Sequence, residues 1–567
     1  ATRLSAKMPA FVNANMDQSQ VKYKLSLEPL KKVYLYGKPR GHRTGSSESG
    51  SIGNIYIFSV IAVFVLFIAC FNFINLTTAF SMKRAREIGV RKVLGASKKQ
   101  LVVQFFLDAV LICLVAFVIA LVLAAMLLPL FNQLSGTIIA TGIFQNLNYI
   151  FGLFCIAIFV GLLSGVYPAL FLSGFKPINS LKGQTSASNG GLLLRKSLVI
   201  AQFAISIVLI ISTVIVYSQL DFMQNQQLGF KKDHQLVIDY QFDSHINAHP
   251  DVIKQQLTAI PGVKSASLSS SIPGTPNDRF ATLIDDSQNL KQEVRAEAYY
   301  VDGDFLNQYG IQVIAGRGIA KQFTADSNAM LINEAMVQKM GFKNADEAIG
   351  KQFKQFSAGG TIIGVVKDFH FQSSMELVQP MAIRPISGFF TCLTLNINSN
   401  HIQQTIEQVE KKWKQITPGL PFVYFFADEA YNKQYISQLR FGRLFVCFSV
   451  LAILISCLGL LGLSAFSTAQ RKKEIGIRKV LGASAAGIAV LLSKDFVRLV
   501  FIALLIASPL AWWAMNAWLR DFAYRIHISW WVFVFSGAAA LFIALLTVSF
   551  QSVRAAIVNP VKSLRND

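Results

Sequence analysis

Seven apolar runs alternate with polar stretches along the chain. They lie at about 55–80, 101–131, 149–173, 197–220, 441–466, 486–519 and 530–550. Each is long enough, at ~1.5 Å per helical residue, to cross a ~30 Å hydrocarbon core, so the pattern predicts seven transmembrane helices. The loops divide by charge. Lys83, Arg84 and Arg86 follow the first run, Lys176, Lys182, Arg195 and Lys196 follow the third, Arg471, Lys472 and Lys473 follow the fifth, and Arg554, Lys562 and Arg565 follow the last. The connection 132–145 carries no charge. Because Lys- and Arg-rich loops stay in the cytoplasm, the N-terminus is expected outside, the C-terminus inside, and the long polar region after the fourth run outside.

Two of the basic loops are near-copies. Glu87-Ile-Gly-Val-Arg-Lys-Val-Leu-Gly-Ala-Ser97 returns 387 positions later as Glu474-Ile-Gly-Ile-Arg-Lys-Val-Leu-Gly-Ala-Ser484. Orientation alone needs only positive charge; it does not need the same Glu, the same Arg-Lys pair and the same Gly-Ala-Ser ending twice. The pattern predicts a short helix in each turn. Glu87 and Glu474 sit near its positive end, and Gly95 and Gly482 take the left-handed conformation that stops it. Ile88, Val93 and Leu94, like Ile475, Val480 and Leu481, supply an apolar face, with Arg91 and Lys92, or Arg478 and Lys479, beside it. Two matched docking turns on one chain imply a two-fold partner.

The repeat extends further. Cys70 matches Cys457 and Asp108 matches Asp495 at the same offset, and the exit 176–182 resembles 559–565. A duplicated unit of one helix, an extracytoplasmic domain and three helices accounts for this. On that account the organisation is 1–54, the end of a first extracytoplasmic domain; 55–183, a first three-helix unit; 184–220, a cytoplasmic linker and the opening helix of the second repeat; 221–440, an extracytoplasmic domain; and 441–567, a second three-helix unit. The chain begins at Ala1 in a polar stretch, which reads as an N-terminally truncated fragment with eight membrane helices expected in the complete chain.

Composition agrees with the spans: 53% of residues are hydrophobic and 15% charged. The net charge of +22 sits beside apolar helices, and no nucleic-acid module is legible, so nucleic acid is not an expected partner. Cys392 alone of the six cysteines falls in the large polar segment, so no disulfide forms within that segment. Asp108 and Asp495, within about three turns of the cytoplasmic boundary, read as interfacial carboxylates rather than a proton relay.

The segment 221–440 has a legible layout. A strand at 235–240, a helix at 250–260 and a strand at 264–270 make one β-α-β unit; a strand at 392–397, a helix at 402–416 with Val409 and Trp413 on one face, and a strand at 422–426 make another. Between them, from about 303 to 371, an insertion has a small helix capped at Asn333 and a strand at 361–366. The fold class is therefore an α-helical membrane protein with an α+β extracytoplasmic domain of split β-α-β form plus an inserted subdomain. Asp304, Asp368 and His370 have a catalytic look, but no further ligands or acid-base groups converge on them, and a structural role is expected. No catalytic residues, cofactor or metal site is expected, and no P-loop is present.

The two turns, the helix-domain-three-helix order, Tyr167-Pro168-Ala169 and the segment Gly364-Val-Val-Lys-Asp-Phe-His-Phe371 together resemble the FtsX-like permease family of the MacB type, membrane subunits of ABC transporters. The resemblance implies a porter-like extracytoplasmic part with a smaller inserted part and location in the bacterial inner membrane among membrane lipid. It also implies that the turns touch a separate ATP-binding subunit, in two copies, and that an envelope protein is a further partner. ATP-driven closure of that subunit would move the helices as levers to export or extract a hydrophobic or peptide-like substrate. The competing reading is a non-transporting mechanotransmitter that regulates a cell-wall hydrolase or sensor. An anchored enzyme is disfavoured by the missing catalytic constellation.

Overall fold

The structure is a computed structural model of the chain. It describes residues 2–15, 25, 29, 52–81, 90–136, 138, 142, 144, 147–173, 189–275, 277, 279–286, 288, 291–320, 324–355, 358–398, 400–470, 474, 477–478, 481 and 484–557. In chain order, helix α1 (Thr2–Asn15) precedes four long helices: α2 (Ile52–Ser81), α3 (Lys98–Ser135), α4 (Leu147–Ser173) and α5 (Asn189–Asn225). The polar region follows with β1 (Gln235–Asp239), α6 (Ser244–Ala248), α7 (Pro250–Thr258), β2 (Val263–Ser269), β3 (Arg279–Asp285), β4 (Lys291–Tyr300), α8 (Phe305–Tyr309), β5 (Val313–Gly316), β6 (Ala329–Asn333) and α9 (Glu334–Lys339). It continues through β7 (Gln352–Gln355), β8 (Ala358–Val366), β9 (Met381–Arg384), β10 (Cys392–Ile397), α10 (Ile402–Ile416), β11 (Tyr424–Phe426) and α11 (Ala427–Lys433). Three long helices close the chain: α12 (Ile436–Gln470), α13 (Ala485–Leu519) and α14 (Trp530–Ile557). Two compact units result, one of residues 1–56 with 225–436 and one of 57–224 with 437–567.

Among the described residues, seven helices are long and apolar enough to cross a membrane, and they are the seven that hydropathy predicts. In lipid no water is available to backbone N–H and C=O groups, so a helix that satisfies them internally is the form an apolar run of this length takes. Within the membrane unit α5 is the most enclosed, with Ile207, Ile211 and Ile215 wholly buried. One stripe of it is polar. Gln202 Nε2 donates to the Ser456 carbonyl at 2.9 Å, the Ser206 and Ser456 hydroxyls lie 2.7 Å apart, and Thr213 donates to Ser449 Oγ at 2.9 Å. At the far end Gln219 donates to the Tyr524 carbonyl and accepts from Ile526 N–H. Lipid tails are as apolar as leucine, so packing of small residues and interhelical hydrogen bonds supplies what apolar burial cannot, and α5 is fastened to α12 in this way.

Helices α2 and α12 run side by side in the same direction. Phe58 packs on Phe441 and Phe448 with ring centroids 5.2 and 5.7 Å apart. Further along, Asn72 Nδ2 donates to the Ile455 carbonyl at 3.4 Å, and Leu76 lies against Gly462. Asn72 also touches Gly459, its own counterpart at the 387-residue offset, so the repeats meet at equivalent positions. Helices α3 and α4 pair through Gly161 and Gly165: a Cβ at Gly161 would stand 3.1 Å from the Val110 Cα, and one at Gly165 would stand 3.1 Å from the Ala109 Cβ. This small-xxx-small spacing lets the backbones approach. Trp512, Trp513 and Trp518 near the end of α13 and Trp530 and Trp531 at the start of α14 form an aromatic belt suited to the outer interface.

The other unit contains two sheets. The first has the strand order β11-β1-β10-β2, every neighbouring pair antiparallel. β10 therefore lies between the two strands of the first β-α-β unit and β1 between the two strands of the second, which is the split arrangement expected. Ile253 and Leu257 of α7 and Val409 and Trp413 of α10 cover one face against Leu236, Ile238, Leu393 and Leu395. The other sheet has the order β5-β8-β6-β9-β4-β3-β7, and β7 pairs again with β8, so it closes on itself. Met330, Ile332, Ile362 and Phe353 fill its interior with Met336 of α9. Asn333 caps α9, accepting from the Met336 N–H at 3.1 Å, as the sequence led us to expect. The insertion is wider than the expected 303–371, since its strands run from Arg279 to Arg384. β3 and β4 are not legible in the sequence because β4 carries Lys291, Glu293, Arg295, Ala296, Glu297 and Ala298, residues poor in intrinsic strand preference; closure of the sheet supplies what they lack.

Candidate functional site: the paired basic turns

The first turn is built by its own backbone. Residues 90–93 are helical, Gly95 stands at φ +97°, Ala96 N–H donates to the Arg91 carbonyl at 2.9 Å and Gly95 N–H to the Lys92 carbonyl at 3.1 Å. These bonds form a Schellman stop with glycine at the left-handed position. Two residues later Ser97 opens α3 with a capping box, accepting from Gln100 N–H at 3.3 Å while Gln100 Oε1 accepts from Ser97 N–H at 2.9 Å. A helix stop and a helix start thus stand back to back, which fixes the corner without tertiary support. The same helix start is written in the sequence as Ser97-x-x-Gln100.

Side chains follow from this frame. Arg91 Nη1 donates to Gln104 Oε1 on α3 at 2.9 Å, so its guanidinium is held rather than free. Burial and the nearby Lys98 charge both push the Lys92 ammonium below its usual range. Leu94 is 81% exposed, with Val90 and Val93 exposed beside it. A shallow hollow next to the turn is lined by Lys99, Gln100, Val103, Gln104, Leu107 and Asp108.

The described residues of the second turn have different supports. Arg478 pairs with Glu474 one helical turn away at 2.8 Å, because the counterpart of Gln104 is Leu491, which offers no acceptor. Ser484 caps α13, accepting from Gly487 N–H at 3.1 Å; glycine there has no side chain to complete a capping box. Leu481 is 79% exposed and Ile477 is exposed with it. Glu87, Lys479 and Gly482 lie outside the described residues. The structure thus places Arg91, Lys92, Gly95, Glu474 and Arg478 in the two turns, and because α2 and α12 run parallel in register, both turns leave the same end of that helix pair.

Asp304, Asp368 and His370 are not brought together for chemistry. The Lys254 ammonium bridges the carboxylates of Asp302 and Asp304; burial disfavours its charge, but the two carboxylates outweigh this and hold it above its usual range. Asp368 accepts from Asn333 Nδ2 at 2.8 Å and from Ala335 N–H at 3.1 Å, bracing α9. His370 Nε2 lies 3.0 Å from Gln226 Nε2, and burial pushes its imidazole below the ordinary value. Among the described residues no group of three or more His, Cys, Asp or Glu side chains could hold a metal ion.

The fold and the turns define a class: a multi-pass membrane protein with an extracytoplasmic domain and a duplicated three-helix unit, each copy carrying the same basic sequence between its first and second helices. The FtsX-like permease C-terminal family matches residues 59–177 and again 446–560. That domain thus matches this chain twice, once over each three-helix unit. It is 28% identical over 121 residues to the macrolide export ATP-binding/permease protein MacB of Campylobacter jejuni subsp. jejuni serotype O:23/36 (strain 81-176), covering 21% of this chain and 18% of that one. It is 28% identical over 139 residues to the protein of the same name from Escherichia coli, covering 24% and 21%. The chain therefore spans about a fifth of the length of the curated relatives it matches. Two solved structures are also similar. The periplasmic region of MacB from Actinobacillus actinomycetemcomitans is 12% identical with a TM-score of 0.27, covering 36% of this chain and 94% of that one. The extracellular domain of the noncanonic ABC-type transporter YknZ from Gram-positive bacteria is 13% identical with a TM-score of 0.25, covering 34% and 98%.

Proposed function

We propose that this chain is the membrane subunit of an ABC transporter of the inner membrane, moved by a separate ATP-binding subunit that docks, in two copies, on the turns around Arg91 and Arg478. The observation that carries the reading is the presence, at one end of a parallel helix pair, of two corners of equivalent sequence, each offering an exposed leucine beside basic side chains. Exposed leucine next to charge suits an apolar groove with an acidic rim on a partner, and two equivalent copies suit a two-fold dimer. The seam that fastens α5 to α12 consists of uncharged groups bonded to one another, which suits helices that move as levers better than a polar path for a solute. The relatives named macrolide export proteins favour export or extraction of a hydrophobic or peptide-like substrate. The alternative, a mechanotransmitter regulating a hydrolase or sensor, uses the same turns.

Reversing the charge of Arg91, Lys92, Arg478 and Lys479 together is expected to abolish co-purification of the ATPase while membrane insertion survives, because Lys83, Arg84 and Arg86 still orient the chain. Co-purification at the normal level would refute docking at the turns. Substrate-stimulated ATPase activity separates transport from the alternative, which predicts a bound hydrolase or kinase and no transported solute.

A further inference from the structure

A hollow of about 460 Å³ lies between α7, β2 and α8 of the extracytoplasmic unit, and no residue of either turn takes part in it. Its walls follow from the local folding. Helix α7 presents Asp251, Lys254 and Thr258, whose spacing of three and then four places them on one helical face. Strand β2 adds Ser265, and α8 with the residue before it adds Gln308 and Asp304. A volume of this size lies within the range of small-ligand pockets and is far larger than a bare ion needs.

The lining has acceptors to spare and few donors. The Lys254 ammonium is engaged by the carboxylates of Asp302 and Asp304. Thr258 gives its hydroxyl proton to the Lys254 carbonyl at 2.9 Å, which leaves it only lone pairs to offer. Gln308 is 4% exposed, and its neighbours fix which way its amide points: Nε2 donates to Gln235 Oε1 at 2.8 Å, while Gln235 Nε2 donates to the Gln308 carbonyl at 3.1 Å. Turned the other way, the amide would set two oxygens against each other. Gln308 Oε1 is therefore the end left over, buried and without a partner among the described residues. Such an oxygen costs free energy until a donor reaches it. Charge runs the same way. Asp251, Asp302 and Asp304 are three carboxylates against the single ammonium of Lys254, so this lining is acidic on a chain whose net charge is +22. At physiological salt, charges more than about 8 Å away are largely screened, and the local excess decides what the hollow attracts.

We propose that the hollow binds an organic cation, an ammonium or guanidinium group that donates to Gln308 Oε1 and pairs with the half-exposed carboxylate of Asp304, with exposed Asp251 adding negative charge beside it. Lys254 already displays this chemistry, since its ammonium sits between two carboxylates of the same wall. A metal ion fits poorly, because among the described residues no group of three or more His, Cys, Asp or Glu side chains could hold one. Two sources carry such a cation, an arginine or lysine side chain of a peptide and a free amine, and the recognising chemistry is common to both. The site goes beyond the function proposed above and rests on neither docking at the turns nor transport.

Calorimetric titration of the purified full chain in neutral detergent tests the site with acetyl-Ala-Arg-Ala-amide, the same peptide carrying citrulline, and agmatine. Citrulline keeps the shape of arginine without its charge, and agmatine is an arginine-like cation without a peptide. Saturable binding of the arginine peptide or agmatine is expected, with the citrulline peptide at least about tenfold weaker than the arginine peptide. Tighter binding of the arginine peptide than of agmatine names a polypeptide as the source; equal or tighter binding of agmatine names a free amine. Asp304→Asn, which leaves Lys254 paired with Asp302, is expected to weaken the bound cation at least about tenfold. Hydrogen exchange with the cation at saturation is expected to slow at 251–258 and 304–308. No saturable binding of either cation, citrulline peptide bound as tightly as arginine peptide, undiminished binding by Asp304→Asn, or protection confined to other segments would overturn the site. The comparison of arginine with citrulline needs no variant, so the proposal remains open to refutation even if Asp304→Asn fails to fold.

Discussion

Gly95 has nothing within 4 Å of where a Cβ would stand, so the residue is required by its φ of +97° and not by space. That requirement was readable beforehand, because a basic helical stretch ending in Gly is a stop signal wherever it occurs. The different anchors of Arg91 and Arg478 were not readable, because Gln104 and Leu491 matter only once the turn has folded back on the next helix. A residue in the short 3-10 helix Thr324–Asn328 that leads into β6 of the closed sheet offers a pH test. Asp326 accepts from both Arg317 Nη atoms at 2.7 and 2.6 Å and from Ala320 N–H at 3.0 Å, and the guanidinium bonds hold its carboxyl below the usual range. A carboxylate with a depressed folded value stabilises the folded state above about pH 4, its unfolded range, and that contribution is lost as pH falls through the folded value. Asp326→Asn is therefore expected to destabilise the closed sheet by about 1 kcal/mol at pH 7, a figure reduced for the half-exposed arginine. The gap from wild type should close below about pH 4, followed by local exchange across β5 and β6; a gap that persists unchanged into acid would contradict the pairing.

Helices of similar hydropathy play different parts here, and the difference lies in what each one touches. α3 and α4 are held by close approach at Gly161 and Gly165, whereas α5 is held by Gln202, Ser206 and Thr213. The first kind should be sensitive to bulk. Gly161→Leu would drive a side chain into the backbone of α3 at Val110, and a loss of about 1–3 kcal/mol is expected, read as a lower thermal midpoint of the detergent-solubilised chain. A midpoint equal to wild type would mean that the pair is not held there. Helix α12 runs 35 residues, about 50 Å, from Ile436 to Gln470. Its length was legible from hydropathy to within a few residues at each end, since the apolar window marks only the part that meets lipid.

For the whole molecule the consequence is sidedness. Parallel α2 and α12 put both turns at one end, and three crossings, α3 to α5, separate the first turn from the polar region, which is therefore expected on the other side. In a background without native cysteines, Val93→Cys and Leu481→Cys are both expected to react with a membrane-impermeant maleimide only from the cytoplasmic side, and Gln415→Cys only from the opposite side. Labelling of the two turns from different sides would break the duplication account, because equivalent corners would no longer be equivalently placed.

Hydropathy, charge asymmetry and the repeated turn determined the number of spans, their orientation and the position of the candidate site, because those features follow from the cost of burying backbone and charge in lipid and need no distant partner. The two β-α-β halves were legible as a local alternation of strand and helix, whereas their interleaving in the order β11-β1-β10-β2 rests on pairings of strands far apart in the chain. Tertiary structure alone decided that Asn72 meets Gly459 across the repeat, that polar groups on α5 find partners on α12, and that Phe230, Tyr299, Phe305, Tyr309, Phe369 and Phe371 close into one circuit. Those residues lie up to 141 positions apart, and nothing in the local spacing of an aromatic residue tells which other ring it will touch once the chain has come back on itself.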